Sequence, residues 1–213
     1  MIVAPDFQHL LRDFSPTVLD SAAQTIYGLR PDLTLAYLNS GWTTFAAHNG
    51  GRPPDSTTWT IGRCVLDALP PDLVPFFSQN FGRCLYEDCP WEHRYECSSA
   101  ERFRMYIMTT YPLGNAEGLL VVNSLVQETA HTRTPCQPFE DLYRDEHGFI
   151  NQCCHCRRVQ RATQHTWDWI PDWVKTYPSD TSHVLCEPCF GFYYSNPKFH
   201  KIPFPDTFRT RST

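Results

Sequence analysis

The chain has 213 residues, of which 41% are hydrophobic and 14% aromatic, enough for one ordinary domain with a buried core plus a smaller module. This composition excludes a disordered protein. The net charge of −5 is unevenly divided: residues 1–130 carry 8 Lys/Arg against 14 Asp/Glu (−6) and residues 131–213 carry 10 against 9 (+1), so no broad basic face for nucleic acid is encoded.

The start, MIVAPDFQHLLRDFSP, lacks a basic n-region, and Asp6, Gln8, His9, Arg12 and Asp13 interrupt its apolar residues, which argues against a signal peptide or a membrane span. No other stretch is long and apolar enough to cross a bilayer. A soluble cytoplasmic protein is expected, in which ten cysteines serve as thiols or metal ligands rather than disulfides.

Phe7, Leu10, Leu11 and Phe14 recur at helical spacing and predict an amphipathic N-terminal helix over residues 1–14. Ser15 is a candidate N-cap with Pro16 at the first helical position. In TIYGLRPDLTLAYLN, two apolar runs flank Arg30-Pro31-Asp32, which reads as a hairpin. Trp42, Phe45 and Ala46 then share a helical face in a segment that stops at glycines, and RPPDSTTWTIG is a loop by composition. A longer helix begins near Pro71-Asp72, with Leu73, Phe76, Phe77, Phe81 and Leu85 at 3.6-residue spacing. WEHRYECSS, RFRMYIMTTYPL and GLLVVNSLVQET read as three strands. Alternation puts Trp91, His93, Tyr95 and Cys97 on one face of the first, and Phe103, Met105, Ile107 and Thr109 on one face of the second.

This ordered series resembles a PAS domain over about residues 15–129. The likeness rests on GLRPDLTLAYLN, the step Tyr37, Asn39, Trp42 and Phe45 into the helix, Ile61-Gly62 before the long helix, and the YECSS and RFRMYIMTTYPL pair. The resemblance implies an α+β fold: a five-stranded antiparallel sheet with helices on one face. It also implies a role in sensing a small molecule, light or redox state, or in holding a partner. The expected interior is lined by Trp42, Phe45, Phe77, Tyr95, Met105 and Ile107, with Asn123 as the polar group able to orient a ligand; a fully packed core is the alternative. The segment of light-sensing flavin versions is absent, and for a haem version the candidate axial ligands are His48 and His93. The Cys-x-x-Cys-His attachment of c-type haem is excluded because Arg157 follows Cys156.

Residues 130–148 are polar, contain two prolines and read as a linker with a short helix. From 149 to 213 a second module is expected. Cys153 and Cys156 form one Cys-x-x-Cys and Cys186 and Cys189 another, the matched gaps by which two tight turns present four thiolates to a tetrahedral zinc ion. Redox or iron-sulfur chemistry, or unliganded thiols, remain alternatives. Cys154 and His183 are potential substitute ligands, although each would lose the two-residue gap. His155 and His183 are expected beside the site rather than on the metal. A four-thiolate zinc site carries −2, and Arg157 and Arg158 are placed to neutralise it. In TWDWIPDWVKTYP, Trp167, Ile170 and Val174 fall on one helical face, and the tryptophans are expected to be buried. The last dozen or so residues form an aromatic, proline-punctuated tail.

The frame of Cys153, Cys156, Arg157, Trp167, Ser182, His183, Cys186 and Cys189 is similar to a short module that follows PAS or receiver domains in bacterial signalling proteins, although RATQHT departs from that module's central tract. That resemblance implies bacterial signal transduction. The expectation is therefore a non-enzymatic sensor or adaptor acting through a signalling protein partner; a thiol enzyme or redox sensor and a zinc-bearing nucleic-acid regulator are the alternatives. Against an enzyme, no Ser/His/Asp order, phosphate-cradling loop or metalloprotease helix is present. A homodimer through the sheet and N-terminus is also expected. The sheet's second face needs cover from the Phe7 segment, the tryptophan segment or another subunit.

Overall fold

The computed structural model of the chain describes residues 1–48 and 60–195. The loop RPPDSTTWTIG lies largely outside them, as do the aromatic tail and the side chain of His48. Six antiparallel strands form the main sheet: β1 (Ile2–Val3), β2 (Thr25–Leu29), β3 (Leu35–Leu38), β4 (Trp91–Glu96), β5 (Arg102–Leu113) and β6 (Gly118–Ala130), in the order β1-β3-β2-β6-β5-β4. The five strands β2 to β6 are those expected from the sequence, and the fold is PAS-like. β1 is an addition, pairing Ile2 with Leu38 and Val3 with Tyr37.

The β2-β3 hairpin turns where expected, because the Asp32 carboxylate accepts from Thr34 N–H at 3.0 Å and closes the turn. Beyond β3, Asn39 ties three elements together. Its Oδ1 accepts from Ile26 N–H at 2.9 Å and from Trp42 N–H at 3.0 Å, while its Nδ2 donates to the carbonyls of Leu19 and Gln24. One buried amide thus starts α2 (Ser40–His48), fixes β2 and holds the end of α1 (Pro16–Ser21), which Ser15 and Pro16 begin as predicted.

The longer helix, α3 (Val74–Tyr86), buries Phe76, Phe77, Phe81 and Leu85, with Leu73 just ahead of it, as the 3.6-residue spacing requires. These side chains pack on Tyr27, Leu29, Leu35, Trp91, Met108, Leu119 and Val121. Each large apolar side chain so buried stabilises the fold by about 1.5–3 kcal/mol.

The opposite face of the sheet, carrying Ile26, Ala36, Tyr37, Tyr111, Leu120 and Val122, is covered by Phe7, Phe14 and Leu19. Of the candidates for that cover, the N-terminal residues fill the place. They do so as a 3₁₀ turn at Pro5–Leu11 rather than as a longer α-helix, since Pro5 permits a helical start and the chain turns again at Phe14. Phe7 is 1% exposed, so this apolar surface is covered within the chain. Gly28 makes the fit possible: a Cβ there would sit 2.8 Å from Phe7 Cζ and 2.9 Å from Tyr37 Cβ.

The second module is a small sheet ordered β10-β7-β8-β9, from β7 (Ile150–Cys153), β8 (Val159–Gln160), β9 (Trp167–Asp168) and β10 (Thr181–Val184). Its core joins Tyr143, Ile150, Val159, Ile170 and Trp173. Tyr143 comes from α4 (Glu140–Tyr143), so the segment read as a linker carries its expected short helix and donates a core residue. The predicted single helix through Trp167 to Val174 is corrected: Trp167 lies in β9, and α5 (Pro171–Lys175) starts only after Ile170, whose φ of −120° and ψ of 91° are extended. Pro171 disfavours helical geometry in the residue before it and begins a helix well, which places the break there. No helix among the described residues is long and apolar enough to cross a membrane.

Candidate metal centre

β10 runs parallel to β7, with Val184 opposite Cys153. This pairing brings the ends of two strands distant in sequence side by side, and each end turns into a Cys-x-x-Cys. In the first turn Arg157 N–H donates to the Cys153 carbonyl at 3.0 Å, and Cys153 N–H donates to the Arg158 carbonyl at 2.7 Å. Arg157 completes it with φ of 62°, a left-handed conformation that glycine adopts more readily. In the second, Cys186 is the residue capping α6 (Glu187–Tyr194) and Cys189 lies in its first turn. The partial positive charge of that helix start faces the sulfurs. Cys186 N–H points at Cys153 Sγ, 3.5 Å away.

Cys153, Cys156, Cys186 and Cys189 are all buried, and their Sγ atoms all lie within 4.8 Å of one another. A tetrahedral zinc with Zn–S of about 2.3 Å requires sulfurs about 3.8 Å apart. Cys156 Sγ and Cys186 Sγ are 3.8 Å apart. The donor set therefore fits a thiolate-binding ion of zinc's size. Cys154 is not a fifth member: its side chain packs against the PAS-like core, and burial pushes its thiol up to about 12. His155 and His183 also stand outside the four sulfurs, His155 with Nδ1 2.9 Å from the Tyr193 hydroxyl and His183 against the Tyr177 ring. Trp167 packs on the cysteine cluster and donates from Nε1 to Glu187.

Sequence reasoning did not find the groups that dock this centre on the PAS-like domain. Tyr193 of α6 is 3% exposed and belongs to the helix-side core, 5.0 Å from the Phe76 ring. Leu185 N–H donates to Asp72 Oδ2 at 3.0 Å, and the Tyr194 hydroxyl donates to the Asp72 carbonyl. Arg133 donates to the Cys156 carbonyl at 2.9 Å and pairs with Glu96, at the end of β4, at 2.6 Å. A basic residue in a polar segment gives no signal of such contacts.

Within the PAS-like interior, Trp42 meets Tyr27 edge-on, Phe45 meets Tyr106, and Tyr95 stacks on Tyr106. Asn123 Oδ1 accepts from the Tyr95 hydroxyl at 2.9 Å, so this polar group is engaged within the chain. Phe77 lies further along, against Phe81 and Trp91. Met105 and Ile107 are partly exposed and belong to neither core. Alternation along β5 is unbroken, since the register shift against β6 skips Val126 of that strand; Tyr106, Met108 and Thr110 take the inward positions and Met105 and Ile107 share the opposite face. The expectation that these two line the interior is corrected accordingly. His93, the other haem candidate in that reading, stands among Phe76, Phe77, Trp91 and Tyr193.

No family model and no curated protein sequence matches the chain. Similar solved structures include the PAS domain of BvgS from Bordetella pertussis, at 15% identity over 52% of this chain and 82% of that one, with a TM-score of 0.41. Another is the PAS domain of an HTR-like protein from Haloarcula marismortui, at 14% identity over 52% and 92%, with a TM-score of 0.33. A third is a PAS domain from a two-component sensor histidine kinase, at 12% identity over 53% and 91%, with a TM-score of 0.32.

Proposed function

We propose that the chain is a non-enzymatic sensor or adaptor, in which a PAS-like domain receives a small ligand or a protein partner and a structural zinc ion fixes the second module against it. The observation that carries this reading is the enclosure of four buried thiols on two turns of matching gap, both of them anchored to the PAS-like domain. Zinc bound by Cys153, Cys156, Cys186 and Cys189 has no redox chemistry of its own, and four thiolates leave no open position for substrate. Its contribution is to hold two turns together in a module too small to rely on its five-residue core. The aromatic group of Trp42, Phe45, Tyr95 and Tyr106 around Asn123 is the place in the PAS-like domain where a ligand would meet both apolar surface and a hydrogen-bonding group.

Metal analysis of the purified chain tests the reading. About one zinc per chain is expected, retained in Cys154→Ser and lost in Cys186→Ser, with the second module unfolding first in the latter. Full metal content after replacing both Cys186 and Cys189 would refute the site, and bound iron would replace the structural reading with a redox one. Native mass spectrometry of the same sample reads any additional ligand and the oligomeric state together.

A further inference from the structure

We infer that α6 is a metal-held strap: the ion that joins the two cysteine turns also keeps Tyr193 seated in the PAS-like core, and its loss opens the interior beside β4 and α3 while β2 and the N-terminal half of β6 stay folded. This rests on the zinc reading above and adds a consequence for the domain that would do the sensing.

One short helix carries both functions. Cys189 and Tyr193 are four residues apart on α6 and so share a face. The first faces the cluster of sulfurs and the second enters the core, 5.0 Å from Phe76, 5.1 Å from His93 and 6.4 Å from Phe77. The first cysteine turn reaches the same tyrosine through His155, whose Nδ1 is 2.9 Å from the Tyr193 hydroxyl. Tyr193 is thus a plug whose ring belongs to the PAS-like domain and whose polar end belongs to the metal module. The position of that polar partner depends on both turns being held together. On either side of the plug, Leu185 and Tyr194 bind Asp72, immediately before α3, so the strap crosses the mouth between α3 and β4.

The wall beneath the strap carries a buried polar group that its own contacts leave unsatisfied. His93 is 8% exposed, boxed by Phe76, Phe77, Trp91, Phe192 and Tyr193, and its Nε2 has no hydrogen-bond partner among the described residues. Removing α6 gives that nitrogen water and exposes Phe76, whereas the far side of the sheet keeps its cover of Phe7, Phe14 and Leu19. The boundary at β4 is therefore where opening starts.

Hydrogen exchange read by mass spectrometry on the full zinc-loaded chain, before and after chelation with EDTA, tests the strap. Exchange in β4 and α3 is expected to rise by about tenfold or more, while β2 changes by less than about twofold. Tyr193→Ala, still holding one zinc, is expected to show the same regional pattern without chelation. Unchanged exchange in β4 and α3 after metal loss overturns the inference, as does a uniform rise that includes β2, or wild-type exchange in zinc-loaded Tyr193→Ala. A chain purified without metal refutes the zinc assignment, which is read in metal content; the Tyr193→Ala comparison then still decides whether α6 seals the core.

Discussion

Arg133 offers the sharpest test of how the two modules are joined. Its side chain is 13% exposed and that of its partner Glu96 is 5% exposed, with Nη2 2.6 Å from Glu96 Oε2. The same guanidinium donates to the Cys156 carbonyl and lies 4.8 Å over the Trp169 ring and 5.8 Å from that of Phe103. Arg133→Met keeps much of the apolar stem but strands the Glu96 carboxylate, whose remaining partner is the Ser98 hydroxyl at 2.5 Å. Breaking one side of a buried pair costs about 3–5 kcal/mol, and the surviving Ser98 contact puts this case at the lower end, about 3 kcal/mol. In urea, with a slope of about 1–3 kcal/mol per molar, the midpoint should fall by about 1–3 M. Replacing both partners, Glu96→Met with Arg133→Met, removes the stranded charge and should recover most of that loss, with a coupling of about 2 kcal/mol in the double-mutant cycle. A single variant costing less than about 1 kcal/mol, or a double variant equal to the sum of the singles, refutes the reasoning.

Burial holds His93 down at about 3, with His155 beside it, so the fold favours the neutral ring. The unfolded chain binds a proton near the ordinary value of 6.5 and the native one does not, so this stabilisation is complete above that pH and is lost as the pH falls from there towards about 3. His93→Phe should therefore lose about 2 kcal/mol less than the parent between pH 7 and 5 in denaturant titrations; identical pH slopes would show that His93 does not titrate in that window. Gly28→Ala should destabilise by about 1–3 kcal/mol by displacing Phe7 from the sheet. Gly82→Ala, in α3 with nothing within 4 Å of the added carbon, should stabilise by about 0.5–1 kcal/mol. The same sign for both glycine variants, measured by thermal denaturation, would discredit the argument from close approach.

The parts of this fold that could be read from sequence are those with a local signal. Five buried positions recur every 3.6 residues around α3, and the Pro31-Asp32 turn announces its hairpin. The clustering of the four cysteines was legible because a two-residue gap is itself the geometry of the turn. What escaped depends on partners distant in the chain. β1 is two residues long and exists only because β3 offers Tyr37 and Leu38 for pairing. The parallel pairing of β7 with β10 joins INQC to TSHV, neither of which alternates apolar and polar residues. In β5 the alternation holds through Met105 and Ile107, but nothing local says which of the two faces is the buried one, and that face carries Tyr106 and Met108. Tyr193 sits in an aromatic run, FGFYY, whose members are indistinguishable by composition; only the tertiary position of α6 selects it for burial while Phe190 and Phe192 remain exposed.

The arginines around the centre explain why such different contacts converge on it. With zinc bound, four thiolates leave a charge of −2 in a buried site, which needs nearby cations in a region of low dielectric. Arg157 supplies one from inside the first turn. Its cation lowers the Cys154 thiol against the upward push of burial, and burial, with the same cation beside it, lowers the neighbouring His183 ring. Arg133 supplies a second cation from outside the module, and it reaches the Cys156 carbonyl only because Glu96 of the PAS-like sheet and the Trp169 ring hold it there. Part of the charge balance of a zinc-loaded site would therefore come from the PAS-like sheet. The two modules cannot be separated without exposing both an unpaired Glu96 and a less neutralised site, so electrostatics and the Tyr193 plug favour the same docked arrangement.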